Sequence, residues 1–194
     1  MRDHNIFVTI AIPFYNSECF LADAIQSVVN QTYINWELLL MDDNGTDGSR
    51  KIAEKFAAKD KRIRLVSDNE NHGLPSRLNE SVELAKGEIY VRMDDDDIMV
   101  ADRVETQVEY LLEHPDVDVV GASAMIIDDK NNIIRSSDMS GVSTGFIHPT
   151  VCGRTEWFRR NKYNEKCRRC QDCELWLRTA GSSNFYNIER PLLF

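Results

Sequence analysis

Six aspartates stand in two runs of the sequence, Asp42-Asp43 and Asp94-Asp95-Asp96-Asp97. Each run follows directly on a stretch of apolar residues, and the segment Pro13-Phe14-Tyr15-Asn16 follows a third such stretch. If the three stretches are strands of one parallel sheet, these residues meet at the edge where the carboxyl ends of the strands lie. Carboxylates gathered at one place repel one another and are stabilised by a cation. Their hard oxygen ligands suit Mg²⁺ or Mn²⁺. The alternative interpretation is a solvated acidic loop that binds nothing.

The elements that would position these residues follow an alternating pattern. The short apolar runs, which predict buried strands, are residues 6–12, 36–41, 63–66, 89–93 and 117–120. Between them, apolar residues at helical spacing predict four helices that begin near Leu21, Ile52, Leu74 and Val104. This alternation predicts βαβ units and an α/β fold with a Rossmann-like, doubly wound and mostly parallel sheet.

The alternation ends after Gly121. Residues 122–127 and 133–135 flank a polar run and predict a β-hairpin, and residues 155–161 and 171–180 predict two more helices. With no internal repeat and no low-complexity linker, we predict one domain over residues 1–194, divided at about residue 121 into two halves. The apolar run 191–194 leads us to expect that the natural chain continues beyond it.

Composition excludes several classes of protein. A formal net charge of −9 argues against binding to nucleic-acid phosphates. The sequence contains no apolar run near the roughly 18 residues of a membrane helix and no signal-peptide cleavage site after the first apolar run. Five cysteines at uneven spacing predict free thiols and a cytoplasmic location.

Three of these cysteines, Cys167, Cys170 and Cys173, have a spacing found in iron–sulfur proteins. Such a cluster needs a fourth cysteine, and neither Cys19 nor Cys152 has a matching context. We therefore favour free thiols for the three.

The order and spacing of several short motifs resemble those of the family 2 glycosyltransferases of the GT-A type. The motifs are Ile12-Pro13-Phe14-Tyr15-Asn16, Asp42-Asp43-Asn44-Gly45-Thr46-Asp47, Asn71-His72-Gly73-Leu74, Leu78-Asn79, Ala85-Lys86-Gly87-Glu88, Arg92-Met93-Asp94-Asp95-Asp96-Asp97, Asp102-Arg103 with Gln107, Gly121, His148-Pro149 and Gln171-Asp172-Cys173-Glu174-Leu175-Trp176-Leu177-Arg178. The resemblance covers nearly the whole chain. It implies a GT-A fold in which residues 1–121 bind a nucleotide-sugar and residues 122–194 form the acceptor-side lobe.

The resemblance also implies a function. The protein is expected to be a metal-dependent, inverting enzyme that moves a sugar from a nucleotide-diphosphate donor, a UDP-sugar, to a hydroxyl of a saccharide or lipid-linked acceptor, as in cell-surface polysaccharide synthesis. The expected cofactor is Mn²⁺ or Mg²⁺. Peripheral contact with the cytoplasmic face of the inner membrane, through a C-terminal segment outside this sequence, is expected with it.

Donor-binding residues are carried over from the matching motifs. The resemblance implies that Pro13, Tyr15 and Asp43 hold the nucleotide, since a ring face can stack on a base and a carboxylate can accept an imide N–H. For Tyr15 the alternative is a core aromatic. Asp42 is interpreted as a brace for the turn, because it points to the opposite side of the chain from Asp43. Asn16 or Ser17 is expected to cap the first helix.

The acidic motif is expected to bind the metal and the donor's diphosphate. Asp96 is the expected direct ligand, and Asp94 is expected beside it, contacting the metal or the sugar. The two lie on one face if the strand continues that far. Asp95 stands at a variable position of the motif and is included among the donor-binding residues. Arg92 is expected either to pair with the aspartates or to reach the phosphates.

Asp172 and Arg77 also have expected roles. Gln171-Asp172 matches the position of the family's catalytic base, which takes the proton of the attacking hydroxyl. The alternative role of Asp172 is a helix cap. Arg77, on the third helix, is expected to be exposed.

Three other functions compete with glycosyl transfer. An aspartyl-phosphate phosphatase carries a similar Asp-x-Asp motif, but usually on its first strand rather than on its fourth. A receiver-type signalling domain is shorter than this chain. A non-catalytic nucleotide-binding domain would retain the donor residues without turnover.

Overall fold

The structure is a computed structural model of the 194-residue chain. It describes residues 6–115, 117, 119–122, 124–128, 132–136, 157–159 and 185–187. None of the helices in these described segments is long and apolar enough to cross a membrane.

The described elements alternate as the sequence predicts up to the fifth strand. In chain order they are β1 (Val8–Phe14), α1 (Leu21–Val29), β2 (Trp36–Asp42), α2 (Ser49–Lys59), β3 (Ile63–Val66), α3 (Leu74–Leu84), β4 (Ile89–Arg92), α4 (Arg103–Glu113), β5 (Val119–Gly121), β6 (Met125–Ile127), β7 (Ile133–Ser136), β8 (Trp157–Arg159) and β9 (Phe185–Asn187). Seven strands form one sheet in the order β3-β2-β1-β4-β8-β5-β9.

Strands β3, β2, β1 and β4 run parallel to their neighbours. All seven residues of β1 and all seven of β2 are buried, which explains why both appear in the sequence as near-continuous apolar runs. The strand order reverses between β1 and β4. In an open α/β sheet, ligands bind outside the carboxyl ends of the strands at such a reversal.

The core has two layers, one on each face of the sheet. Apolar residues of α1, α2 and α4 pack with alternate residues of β1, β2 and β4 on one face. On the other face, Val82 of α3 and Ala85 pack with the intervening strand residues, among them Ala11 and Tyr90. The doubly wound α/β arrangement is therefore confirmed.

The predicted hairpin is confirmed, because β6 and β7 pair antiparallel. The helix predicted over residues 155–161 is wrong. Residues 157–159 form β8, which lies antiparallel between β4 and β5, and Trp and Phe at these positions favour a strand. The helix predicted over residues 171–180 lies outside the described residues.

Candidate active site

The turn after β1 carries the exposed ring of Tyr15, whose residue surface is 51% accessible. The alternative of a core aromatic is therefore wrong. Pro13 is buried within β1, opposite Met41 of β2. Tyr15 thus presents a ring at the carboxyl edge of the sheet.

The β1 turn (residues 15–18) is bonded to the turn after β2. The Thr46 backbone N–H donates to Asn16 Oδ1 over 2.7 Å, and the Ser17 N–H donates to Ser49 Oγ over 2.8 Å. Glu18 N–H donates to Asp47 Oδ2 over 2.9 Å. These bonds fix the position of Tyr15 relative to β2.

The expectation that Asn16 or Ser17 caps α1 is wrong. The N-cap residue is Phe20, and no side chain bonds to the helix N-terminus there. Asn16 instead adopts a left-handed backbone (φ 54°), which asparagine tolerates in turns. Its side chain, like that of Ser17, bonds to another strand's turn rather than to the helix.

Asp43 follows β2 and is nearly buried, with 8% of its side chain exposed. Its Oδ1 accepts hydrogen bonds from the backbone N–H groups of His72 (2.8 Å) and Gly73 (3.2 Å) and from Arg77 Nε (3.2 Å). Its Oδ2 accepts one bond from a described residue, the Gly73 N–H at 3.1 Å. The second oxygen therefore keeps capacity for another donor.

Arg77 is buried beside Asp43, so its predicted exposure is wrong. The α3 guanidinium also bonds to Asp68, Glu80 and the carbonyl of Glu70. Although burial lowers its pKa, the hydrogen bonds with the carboxylates of Asp68, Glu80 and Asp43 raise the pKa of Arg77 above the ordinary value. Chiefly through the Arg77 hydrogen bond, the pKa of Asp68 is held below its ordinary range. Arg77 thus anchors both Asp43 and the loop after β3.

Asp42 braces the turn, as predicted. Its Oδ1 accepts the Asn44 N–H over 3.0 Å, and its Oδ2 accepts the Ser67 hydroxyl over 3.0 Å. The carboxylate therefore joins the ends of β2 and β3.

The acidic motif lies in a turn rather than in a strand. Strand β4 ends at Arg92, and the Asp97 N–H bonds to the Asp94 carbonyl. The condition for placing Asp94 and Asp96 on one face of a strand is therefore not met. We call residues 94–97 the acidic turn.

The carboxylates of the acidic turn differ in their partners. Asp94 Oδ1 accepts a bond from Arg92 Nη2 over 3.0 Å, so Arg92 pairs with the aspartates. Asp97 interacts electrostatically with the buried guanidinium of Arg103. Asp96 is exposed, and its carboxylate accepts no hydrogen bond from any described residue. Asp96 is therefore the carboxylate most accessible to a ligand among those described in this turn.

Asp95 points toward the β1 turn. Its Oδ2 accepts the Tyr15 backbone N–H over 3.3 Å and the Ser17 hydroxyl. Burial raises the pKa of Asp95, and these two hydrogen bonds oppose the shift. The Asp95 carboxylate thus bonds to the backbone and to a side chain of the β1 turn.

Arg103 and Gln107 stand one helical turn apart on α4, and Arg103 interacts electrostatically with Asp97 of the acidic turn. Arg103 Nε donates to Gln107 Oε1 over 3.2 Å. Burial lowers the pKa of Arg103 to about 10, while Asp97 opposes the shift. Both residues belong to the quoted motifs; Gln107 is buried, and Arg103 connects α4 to the acidic turn through its interaction with Asp97.

The described residues contain no group of three or more His, Cys, Asp or Glu side chains arranged to hold a metal ion. Mg²⁺ in phosphate-binding sites is commonly held by one or two carboxylates together with the substrate's phosphates, without a complete protein cage. The exposed Asp96 and the half-buried Asp94 fit that kind of shared site.

Several residues singled out in the sequence cannot be compared with the structure. Asp172, His148 and the three clustered cysteines all lie outside the described residues. Arg77 was missed as a site residue, although it stands three residues after the quoted Asn71-His72-Gly73-Leu74 motif. The sequence predicts Ser17 only as a helix cap, and no local pattern indicates its bond to Asp95.

Known proteins resemble this chain in sequence and in fold. EpsE of Bacillus subtilis, named as a glycosyltransferase, is 36% identical over 197 residues, which cover 95% of this chain and 71% of EpsE. The fold matches that of the mannosyltransferase PcManGT from Pyrobaculum calidifontis, solved in complex with GDP-Man and Mn²⁺ (TM-score 0.66, 22% identity, 84% of this chain and 47% of that one). It also matches residues 1–349 of TarS from S. aureus, solved with UDP-GlcNAc (TM-score 0.65, 20% identity, 82% of this chain and 47% of that one).

The chain thus spans about half the length of the solved chains it matches. At these identities the two structures show the fold alone, which is that of the GT-A glycosyltransferases. The family described as Glycosyl transferase family 2 matches residues 9–183. That match covers most of the sequence, including all four strand-end loops described above, and the chain therefore belongs to glycosyltransferase family 2.

Proposed function

We propose that this protein transfers a sugar from a UDP-sugar to a hydroxyl of a saccharide or lipid-linked acceptor, with inversion and with the help of Mn²⁺ or Mg²⁺. The observation that carries the proposal is the convergence of three groups at one edge of the sheet. These are the exposed ring of Tyr15, the Asp43 carboxylate and the exposed carboxylate of Asp96. Nucleotide-sugars bound to PcManGT and TarS support a donor of this class.

The base would lie against Tyr15 and Asp43. An exposed ring offers a stacking face, and the Oδ2 atom of Asp43 has capacity for one more hydrogen bond. A carboxylate only accepts hydrogen bonds. It therefore favours uracil and guanine, whose ring imide or amide N–H donates, over cytosine and adenine, which present a lone pair at the corresponding position.

The diphosphate would lie at the acidic turn, where Asp96 and Asp94 would hold the ion. Such an ion, when bound, neutralises the charge that grows on the leaving diphosphate. Arg92 restrains Asp94 through a 3.0 Å bond and so limits the directions in which that carboxylate can point. Asp96, without such a restraint among the described residues, is free to approach the ion.

The acceptor side of the proposal depends on Asp172. As the catalytic base it would take the proton of the acceptor hydroxyl while that oxygen attacks the sugar. Attack from the face opposite the leaving diphosphate inverts the anomeric centre, so NMR of the product should show the anomer opposite to that of the donor. We also propose that the protein acts at the cytoplasmic face of a membrane, which fractionation of cells can test.

Isothermal titration of UDP tests the donor site. The wild-type protein should bind UDP in the presence of Mn²⁺ and lose most of that affinity in EDTA. Asp96→Asn should bind UDP weakly whether or not Mn²⁺ is present, and its melting temperature should not fall. Asp23→Asn, which neutralises an exposed carboxylate on α1, is the matched control and should bind like wild type. Mn²⁺-dependent binding that survives in Asp96→Asn would contradict the metal assignment.

Base selectivity tests the role of Asp43. Asp43→Ala should weaken UDP binding by about 1–3 kcal/mol through the loss of a charge-assisted hydrogen bond. It should also reduce the preference for UDP over CDP. An unchanged UDP-to-CDP ratio in a folded Asp43→Ala protein would mean that Asp43 serves only the loop after β3.

A further inference from the structure

The Asp95 side chain connects two parts of the site that the chain otherwise keeps 80 residues apart. Its Oδ2 accepts the backbone N–H of Tyr15, in the β1 turn, over 3.3 Å. The same oxygen accepts the hydroxyl of Ser17, a residue only 8% exposed. One carboxylate oxygen of the half-buried Asp95 therefore bonds to Tyr15 and to Ser17, the residues that precede and follow Asn16.

The other bonds of the β1 turn lead elsewhere. Asn16 and Glu18 bond to the turn after β2, and the Ser17 backbone N–H bonds to Ser49, the first residue of α2. Among the side-chain hydrogen bonds between described residues, those of Asp95 are the ones that join the β1 turn to the acidic turn. Without Asp95, Tyr15 would remain fixed to β2, but its distance from Asp94 and Asp96 would be less well defined.

That distance matters for a ligand with two ends. When two linked groups bind two sites, the affinity of the whole depends on whether both sites can be engaged at the linker's length. In the proposed function, the base binds near Tyr15 and the diphosphate binds at the acidic turn. If the distance between Tyr15 and the acidic turn varied, the protein would still bind the base or the diphosphate separately, but it would bind the complete nucleotide more weakly.

We propose that Asp95 is a positioning residue that sets the spacing between the Tyr15 ring and the acidic turn, with Ser17 as its partner. This inference rests on the proposed function for its effect on donor binding. It assigns Asp95 a contact with the protein instead of the contact with the donor expected from its place in the motif.

The test compares the whole ligand with one of its parts. Asp95→Ala and Ser17→Ala should each weaken binding of UDP with Mn²⁺ by about tenfold, the size of one charge-assisted hydrogen bond. Binding of uridine, measured by NMR titration, should stay within twofold of wild type. The double variant should be no weaker than Asp95→Ala, because Asp95→Ala already removes both hydrogen bonds of the link, whereas Ser17→Ala leaves the one from the Tyr15 N–H. Ser17→Thr, which keeps the hydroxyl, should bind UDP like wild type.

Asp97→Asn provides the matched control, because it removes a negative charge from the same turn at a residue that interacts with Arg103. It should leave the hydrogen exchange of the Tyr15 amide unchanged, whereas Asp95→Ala should speed that exchange at least tenfold. Unchanged UDP affinity in Ser17→Ala together with a large loss in Asp95→Ala would mean that Asp95 contacts the metal or the donor directly. Weaker uridine binding in both variants would indicate a general loss of structure. Either result would overturn the proposal.

The two proposals can fail separately. If the wild-type protein does not bind UDP with Mn²⁺, the proposed function fails, and the exchange of the Tyr15 amide still decides whether Asp95 holds the β1 turn. If UDP binds but Asp95→Ala leaves Tyr15 exchange unchanged, the positioning role is wrong and the donor site stands.

Discussion

The buried guanidinium of Arg77 offers a quantitative prediction about the site's stability. We consider Arg77→Met, which keeps the length of the side chain and removes its charge. Arg77 is 1% exposed and its partner Asp43 is 8% exposed, so the variant leaves a nearly buried carboxylate without its cation. Removing one partner of a buried ion pair costs about 3–5 kcal/mol.

The structure places the expected cost at the lower end of that range. Asp43 would still accept the two backbone N–H groups of His72 and Gly73. The pairs with Asp68 and Glu80 contribute less than the pair with Asp43, because these carboxylates are 46% and 37% exposed and water screens them. We therefore expect a loss of about 3 kcal/mol in the free energy of unfolding. For a domain of this size that corresponds to a fall in Tm of about 6–12 °C.

Thermal and urea denaturation measure the effect, and Arg50→Met is the control. Arg50 is 41% exposed and pairs with Glu54 at 3.3 Å. It approaches the buried Asp42 only to 3.7 Å, and without Arg50 that carboxylate keeps its hydrogen bonds from Asn44 and Ser67. As a surface cation it should cost less than about 1 kcal/mol. If Arg77→Met and Arg50→Met lower Tm equally, the argument that a buried cation holds Asp43 is refuted.

Three further predictions concern other parts of the chain. If Asp172 is the base, Asp172→Asn should lower sugar-transfer turnover by roughly 10²–10⁴-fold and leave UDP affinity unchanged. Normal turnover in this variant would mean that Asp172 is not the base and would favour its alternative role as a helix cap. Because its hydrogen bond with Arg77 lowers the pKa of Asp68 in the folded state, this carboxylate stabilises the fold above about pH 4, and the stabilisation is lost as the pH falls. The Tm difference between wild type and Asp68→Asn should accordingly be present at pH 7 and narrow below pH 4, and a constant difference would contradict the linkage. Gly87→Ala should cost about 1–3 kcal/mol, since its Cβ would lie 2.3 Å from the Thr9 backbone nitrogen. Gly121→Ala should cost less in the same urea titration, since its Cβ would lie more than 4 Å from every atom of the described residues other than its chain neighbours.

The sequence predicted most of the parallel sheet because buried strands leave a local signal. The predicted third strand, residues 63–66, has the bounds of β3, and the predicted second strand differs from β2 by one residue. Alternation of these runs with amphipathic stretches was sufficient to predict the doubly wound arrangement. Strand β8 was missed because its neighbours in the sheet, β4 and β5, come from distant parts of the chain.

The site was harder to predict, because its side-chain partners are far apart in sequence. Nothing around Arg77 indicates that it is buried, since its burial depends on Asp43, 34 residues earlier. The bond between Ser17 and Asp95 joins residues 78 positions apart. Sequence patterns place residues on elements, whereas the pairing of polar groups across strand ends is decided by the tertiary fold.

Anomalous diffraction from a crystal of the protein with UDP and Mn²⁺ is the decisive measurement for the donor site, because it locates the ion and the base together. The Mn²⁺ peak should lie in contact with the Asp96 carboxylate and the diphosphate, with the uracil ring on Tyr15 and its N–H directed at Asp43. A Mn²⁺ peak away from the acidic turn, or a uracil bound elsewhere than between Tyr15 and Asp43, would contradict the proposed donor site.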